Sequence, residues 1–315
     1  MLIPTAQSCK EDWPMHKFIG FSGQRRTKGE KIGQILICGF LVLFVFFLVY
    51  PIWHVFMYSI SDPVLAMNGG IFFLPRGFDT YNYRMIFKTS QIWIALRNSV
   101  AKTVVGTALS VLLTLLTAYP LSLPRLMGRN FIARMIFFTM LFSGGTIPLY
   151  LQVKTLGLLD TFWALILPGA IGAHNMFILR NALQSVPASL EESARMDGAN
   201  PFIILFRIAV PMVAPTIAAI TLFYGLGNWN SYMDGLLYTN STSLQLLQLY
   251  LRMVLSQTSS ANAIMAQVGT ESSGYLSQTS TQMAIVVVTI IPIMIVYPWL
   301  SRFYVSGLSA GAVKG

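Results

Sequence analysis

The sequence predicts an all-α membrane protein with six transmembrane helices and one polar elbow kept in water. Three observations carry this expectation. Of the 315 residues, 55% are hydrophobic and 10% charged, against about 25% charged in an ordinary soluble domain, so a soluble fold would lack the polar surface to cover itself. Six apolar stretches, at roughly 32–60, 92–120, 131–153, 161–182, 203–236 and 280–303, have the length needed for crossing, a helix requiring about 20 residues to span hydrocarbon. Between the fourth and fifth lies Leu190 to Pro211, a charged island in a chain otherwise dominated by apolar side chains.

In chain order, residues 1–31 form a polar leader of mixed charge. The first apolar run is an anchor and no cleaved signal, because it follows the leader and exceeds the roughly 7–15 residues of a signal-peptide core. A segment at 61–91 then lies outside, where Phe78, Tyr81 and Tyr83 suit a membrane–water interface. Arg97 and Lys102 sit near the outer end of the second stretch and are expected to snorkel to the headgroups. Leu121 to Asn130 turns the chain on the inside. Gly144, Gly145, Pro148 and Pro168 interrupt the third and fourth stretches, as membranes allow where neighbouring helices re-satisfy the freed backbone groups. The largest outer segment is about 237–279. Its second half, Ser256 to Thr279, is rich in Ser, Thr, Gln, Ala and Gly and reads either as a flexible loop or as a contact surface for a soluble partner. The expected organisation is therefore a leader at 1–31, a six-span domain at 32–303 and a tail at 304–315.

The net charge of +10 is unevenly spread. Lys10, Lys17, Arg25, Arg26, Lys28, Lys31, Arg125, Arg129, Arg134, Arg180, Arg195, Arg207, Arg302 and Lys314 share one side. Only Arg76, Arg84, Lys88, Arg97, Lys154 and Arg252 occupy the other. The positive-inside bias places both termini and the island in the cytoplasm. A nucleic-acid surface would need its basic residues on one soluble face with aromatics between them; this distribution excludes that partner. Cys9 and Cys38 lie far apart and make neither a disulfide framework nor a metal site. His16, His54 and His174 are isolated, so no catalytic constellation assembles. A Gly-x-x-x-x-Gly-Lys-Ser/Thr phosphate loop is missing. The chain reads as no enzyme and as carrying no cofactor; any ATP is bound elsewhere.

Glu191, Glu192 and Asp197 cannot lie in lipid, where a charge costs a few kcal/mol even on insertion scales. Ser189 stands three residues before Glu192, the spacing of a capping box. Gly198 permits the reversal that ends this short helix, and Asn200-Pro201 can open the next. Two short helices at an angle result.

The island closely resembles the "EAA loop" of ABC-importer permeases, whose pattern is Glu-Ala-Ala, two residues, Asp-Gly-Ala, then a spacer ending in Ile-x-Leu-Pro. Here it stands as Glu192-Ser193-Ala194-Arg195-Met196-Asp197-Gly198-Ala199, closing at Ile208-Ala209-Val210-Pro211. Ser193 and Val210 depart from it by small changes of shape. Asn98-Ser99, Ala118-Tyr119-Pro120-Leu121-Ser122 and the terminal Gly307 to Gly315 look like permeases of carbohydrate ABC importers. Phe142-Ser143-Gly144-Gly145-Thr146-Ile147-Pro148-Leu149-Tyr150 and Gly227-Asn228-Trp229-Asn230-Ser231-Tyr232 are similar to the LplC-like branch of MalG-type permeases, associated with plant or algal oligosaccharides, uronate-containing ones among them. The resemblance covers roughly residues 30–315.

It implies a type I ABC-importer permease fold in the bacterial inner membrane. A second permease subunit, two cytoplasmic ATPases carrying ATP and Mg, an extracytoplasmic solute-binding protein and an oligosaccharide substrate would be its partners, with lipid around the spans. The coupling residues would be Glu191, Glu192, Ser193, Ala194, Asp197, Gly198 and Ala199, in a loop of about 187–211. Glu192 would pair with a basic residue of the ATPase, and Asp197 would hold the elbow's geometry. Lys314 belongs to a tail that either reaches between the ATPases or frays. Asn175 with His174, and Tyr224, Asn228, Trp229, Asn230 and Tyr232, offer planar polar and aromatic groups that either grip sugar or glue neighbouring spans. Two rivals stand beside this reading: an importer of the same architecture for a peptide or amino acid, and a secondary transporter or channel that needs no ATPase.

Overall fold

A computed structural model describes residues 28–312 except 63–64, 67–69, 72 and 257–273. Lys314, most of the leader and the centre of the largest outer segment lie outside the described residues. The chain divides into two compact units, Met1–Ile52 and Trp53–Gly315. Helix α1 (Lys28–Ser59) begins in the first and ends in the second. Within the first unit its apolar side chains from Ile35 to Val49 are exposed, as suits a helix whose solvent is lipid.

The second unit is built around α3 (Ser90–Ser122), an unbroken helix of 33 residues, hence roughly 50 Å long. Short α2 (Tyr81–Lys88) precedes it, and its buried Asn82 accepts a hydrogen bond from Thr281. The buried stripe of α3 is largely small and polar: Ala95, Asn98, Ser99, Lys102, Gly106, Thr107, Ser110, Thr114 and Ala118. Small residues let helices approach closely, and hydroxyl and amide groups bond across the gap. Against this stripe pack α6 (Ala173–Gln184) and α10 (Ala214–Asn230), and α13 (Gly274–Ala312) packs on α10 and shares a buried cluster with Ile92 and Ala95 of α3.

Among the described residues, three helices are long and apolar enough to cross a membrane: Lys31–Ser59, Ser90–Ser122 and Thr279–Pro298. These are the first, second and sixth expected spans. The other three are bent pairs. Helix α4 (Arg129–Leu141) and α5 (Thr146–Thr155) meet at 116° across Phe142–Gly145, with Gly145 at φ 89°. Their lengths, about 20 and 15 Å, each fall short of hydrocarbon thickness. The 3-10 turns Phe162–Leu165 and Leu167–Gly169 meet α6 at 55°.

The third break falls within the stretch expected to span at 203–236. Helix α8 (Pro201–Ile204), a π turn at Leu205–Ala209 and α9 (Val210–Met212) meet α10 at 87°. The cause is chemical. Pro211 has no N–H to give and its ring crowds the carbonyl one turn back, so the ladder widens into a π turn before it. Pro215 then sits in the first turn of α10, where a missing N–H costs nothing.

Beyond α10 come α11 (Met233–Tyr238), a 3-10 turn at Thr242–Leu244 and α12 (247–256). This segment is stitched to the N-terminal half of α3. Asn98 donates to the carbonyls of Ser243 and Gln245, and Ser99 Oγ accepts from the Leu247 amide. Asp160, at a left-handed φ of 55°, accepts from the amides of Asn240 and Ser241 and so ties the turn after α5 to the loop after α11.

Candidate functional site: the polar elbow

The island folds as two short helices. Helix α7 (Ala188–Met196) ends in a Schellman arrangement: the Ala199 amide donates to the Ala194 carbonyl at 2.9 Å and the Gly198 amide to the Arg195 carbonyl at 3.0 Å. Gly198 adopts φ 79°, the left-handed conformation this reversal demands. Asn200 caps α8, its side-chain oxygen accepting from the Ile203 amide at 2.8 Å, and Pro201 takes the first helical position. The expected capping box does not form. Pro187 occupies the N-cap and makes no side-chain cap, so Ser189 falls inside the first turn, where its hydroxyl has no terminal amide to reach.

One carboxylate fixes the elbow to the rest of the unit. Glu191 Oε1 accepts from the Tyr119 hydroxyl at 3.0 Å, Arg125 at 3.2 Å and Arg195 at 2.7 Å. Tyr119 lies in the last turns of α3, and Arg125 just beyond it. Arg180 of α6 donates to the Leu121 carbonyl at 2.9 Å and ties a third strand of chain to this corner. Ala194 and Ala199 turn inward onto a cluster formed by Leu115, Ala118, Leu121, Met176, Leu179, Leu183, Ile204 and Leu205. The opposite face is open: Glu192, Ser193, Met196 and Asp197 are exposed, Met196 at 89%. Glu191 and Glu192 thus have different circumstances, the first engaged by three donors and the second presented to solvent. Asp197, at the C-cap, is exposed and enters no ion pair among the described residues.

The candidate pathway residues separate into two groups. Tyr224 is buried, its hydroxyl 2.7 Å from Thr114 Oγ1 and accepting from the Gly172 amide at 2.9 Å. Asn228 donates to Thr107 at 3.3 Å and lies over Gly106, where a Cβ would come within 3.1 Å of its amide. Trp229 is buried, its indole directed at the Thr289 carbonyl. These three bind α10 to its neighbours. Asn230 and Tyr232, at and just past the C-terminal end of α10, remain accessible, as do Asn175 and His174 at the start of α6.

Two features escaped the sequence reading. Lys102 does not snorkel: it is fully buried and its Nζ lies 2.6 Å from Asp234 Oδ2, which also accepts from Ser231. The lysine is instead held within the protein by Asp234, at the start of α11. A cation within a span signals a partner, and Asp234 is the only acidic residue between Asp197 and Glu271. The other feature is Arg252, which stacks on Tyr232 at 4.3 Å from the ring centroid.

Three long apolar helices, three bent helix pairs and a polar elbow with one open face define a helical membrane component. The chain belongs to the family of binding-protein-dependent transport system inner membrane components, whose profile matches residues 92–309. It is 41% identical over 286 residues, covering 91% of this chain and 99% of the relative, to the polygalacturonan/rhamnogalacturonan transport system permease protein YtcP of Bacillus subtilis. The protein LplC of the same organism is 38% identical, covering 84% of this chain and 89% of its own length. The fold is similar to a chain in the crystal structure of a bacterial ABC transporter involved in the import of the acidic polysaccharide alginate. That likeness has a TM-score of 0.80 and 32% identity, and covers 89% of this chain and 99% of the other. The chain is accordingly a permease component of an ABC importer.

Proposed function

We propose that this permease imports uronate-containing oligosaccharides as one half of a heterodimeric pathway, with six crossings and both termini in the cytoplasm. A solute-binding protein delivers the sugar from outside, and two ATPase subunits, which carry ATP and Mg, grip the elbow from below. The substrate class is supported by similarity to permeases and a transporter of galacturonan and alginate. The elbow carries the coupling reading. A face bearing Glu192, Met196 and Asp197 projects from a helix whose other face is locked to α3 through Glu191.

An apolar Met flanked by two carboxylates suits a groove with a basic rim on a soluble domain. Closure of the ATPase dimer on ATP draws the elbows together and turns the cavity outward. Hydrolysis parts them and turns it inward. Because Glu191 holds the elbow to α3 and Gly198 fixes its bend, displacement passes into the spans with little lost to local flexing.

The test is Glu192→Ala with Met196→Ala in the assembled importer. Expected is retained expression and membrane insertion, with uptake lost and the ATPase either dissociated or no longer stimulated by liganded binding protein. Normal uptake by this variant would refute the coupling role.

A further inference from the structure

Four polar residues from two elements meet beside the end of α10. Asn230 and Tyr232 lie at and just past its C-terminus; Gln248 and Arg252 stand one turn apart on α12, hence on one face. The Gln248 amide donates to Asn230 Oδ1 at 3.5 Å. The Arg252 guanidinium lies over the Tyr232 ring, its carbon 4.3 Å from the centroid. Together with Leu251, Tyr232, Gln248 and Arg252 line an open recess of about 400 Å³, within the roughly 300–1,000 Å³ of small-molecule sites. Arg252 is exposed and pairs with no carboxylate among the described residues.

The geometry points to this recess as a receiving site for a carboxylate-bearing sugar unit, with Arg252 binding the carboxylate and Gln248 a hydroxyl. The inference rests on the acidic-oligosaccharide reading above and adds the place and the residues of recognition. Three physical points support it. Contact with the Tyr232 ring restrains the guanidinium before ligand arrives while the side chain stays exposed, and a guanidinium without a carboxylate partner can bind one bidentately. Leu251 and the flank of Tyr232 supply an apolar wall for a pyranose face beside the amide that reads its rim. The nearby carboxylate of Asp234 is already neutralised by Lys102 at 2.6 Å, so it does not repel an incoming anion. The binding chemistry is non-covalent throughout.

The experiment uses the importer assembled with its partner chains in proteoliposomes, with trigalacturonate as probe and Arg252→Ala, Arg252→Lys and Gln248→Ala as variants. Two quantities are read: uptake of trigalacturonate, and stimulation of the ATPase by sugar-free binding protein. Expected is a 5- to 10-fold loss of uptake for Arg252→Ala and a smaller loss for Gln248→Ala. Arg252→Lys should recover part of the loss, and ATPase stimulation should be unchanged in all three. Wild-type uptake by Arg252→Ala would overturn the site. So would an equal loss of sugar-free ATPase stimulation, which would make Arg252 a docking contact for the binding protein. Failure of the wild-type complex to import trigalacturonate while its ATPase still responds would sink the acidic-sugar reading itself, and this site with it.

Discussion

The Lys102–Asp234 pair should break asymmetrically, and the asymmetry follows from unequal burial. The two groups are 2.6 Å apart, yet the lysine side chain is 0% exposed and the aspartate 37%. Asp234→Asn keeps the shape of the carboxylate and strands a cation with no water. Removing one partner of a buried pair costs about 3–5 kcal/mol. The loss cannot run much higher, because an ammonium can instead be neutralised at pH 7 for roughly 4.6 kcal/mol. Lys102→Met removes the cation and fills most of its volume, leaving an aspartate that still reaches water and Ser231; about 1–2 kcal/mol is the expected cost. The double variant should return close to Lys102→Met alone, so the coupling equals the whole cost of the stranded cation, about 3–5 kcal/mol. Thermal unfolding of the purified complex reads this directly. At about 2–3 °C per kcal/mol for a chain of this size, Asp234→Asn should lower the apparent midpoint by roughly 6–15 °C and Lys102→Met by roughly 2–6 °C. Equal losses for the two single variants, or additive losses in the double, would refute the argument from burial.

Three further outcomes are expected. Glu191→Gln leaves Tyr119, Arg125 and Arg195 facing an uncharged amide; it should cost about 1–3 kcal/mol and raise ATP hydrolysed per sugar imported, measured side by side in proteoliposomes. Gly198→Ala meets no atom within 4 Å, so only its φ of 79° opposes the change; the unfolding midpoint should record about 1 kcal/mol, with uptake retained. Tyr224→Phe strands the Gly172 amide and Thr114 hydroxyl and should cost about 1–3 kcal/mol. Its half-saturating sugar concentration should stay at the wild-type value, whereas a sugar-contacting Tyr224 would raise it.

Much of the elbow was legible because its signals are local. Gly198 can take the left-handed conformation that closes a helix, and Asn200-Pro201 combines an oxygen for capping with a ring already set for a first turn. Ser189 misled for a neighbouring reason: Pro187 claims the N-cap, and a capping box depends on which residue starts the helix, not on spacing alone. Hydropathy identified α1, α3 and the apolar part of α13, but it averages over backbone chemistry. It passed through Pro211, which widens the ladder before it, and Pro215, which suits the start of a new helix, where the fifth stretch bends by 87°. Gly144, Gly145 and Pro148 did mark the break between α4 and α5, although the size of the turn depends on tertiary packing. Among the pathway candidates, composition could not distinguish Tyr224 and Asn228, spent on Thr114, Gly172 and Thr107, from Asn230 and Tyr232, which stay open. Arg252 was counted as one more outer charge because its partner, Tyr232, lies twenty residues earlier. Only the fold brings them face to face.

Helix α3 is fastened at both ends, by Tyr119 to the elbow and by Asn98, Ser99 and Lys102 to the segment that follows α10. The seventeen helical steps from Lys102 to Tyr119 make a stiff rod about 25 Å long, with no proline or glycine pair to flex it between those fastenings. A displacement at one end of such a rod is carried to the other as a tilt. A beam of this kind favours seesaw motion of its two fastenings over independent movement of either.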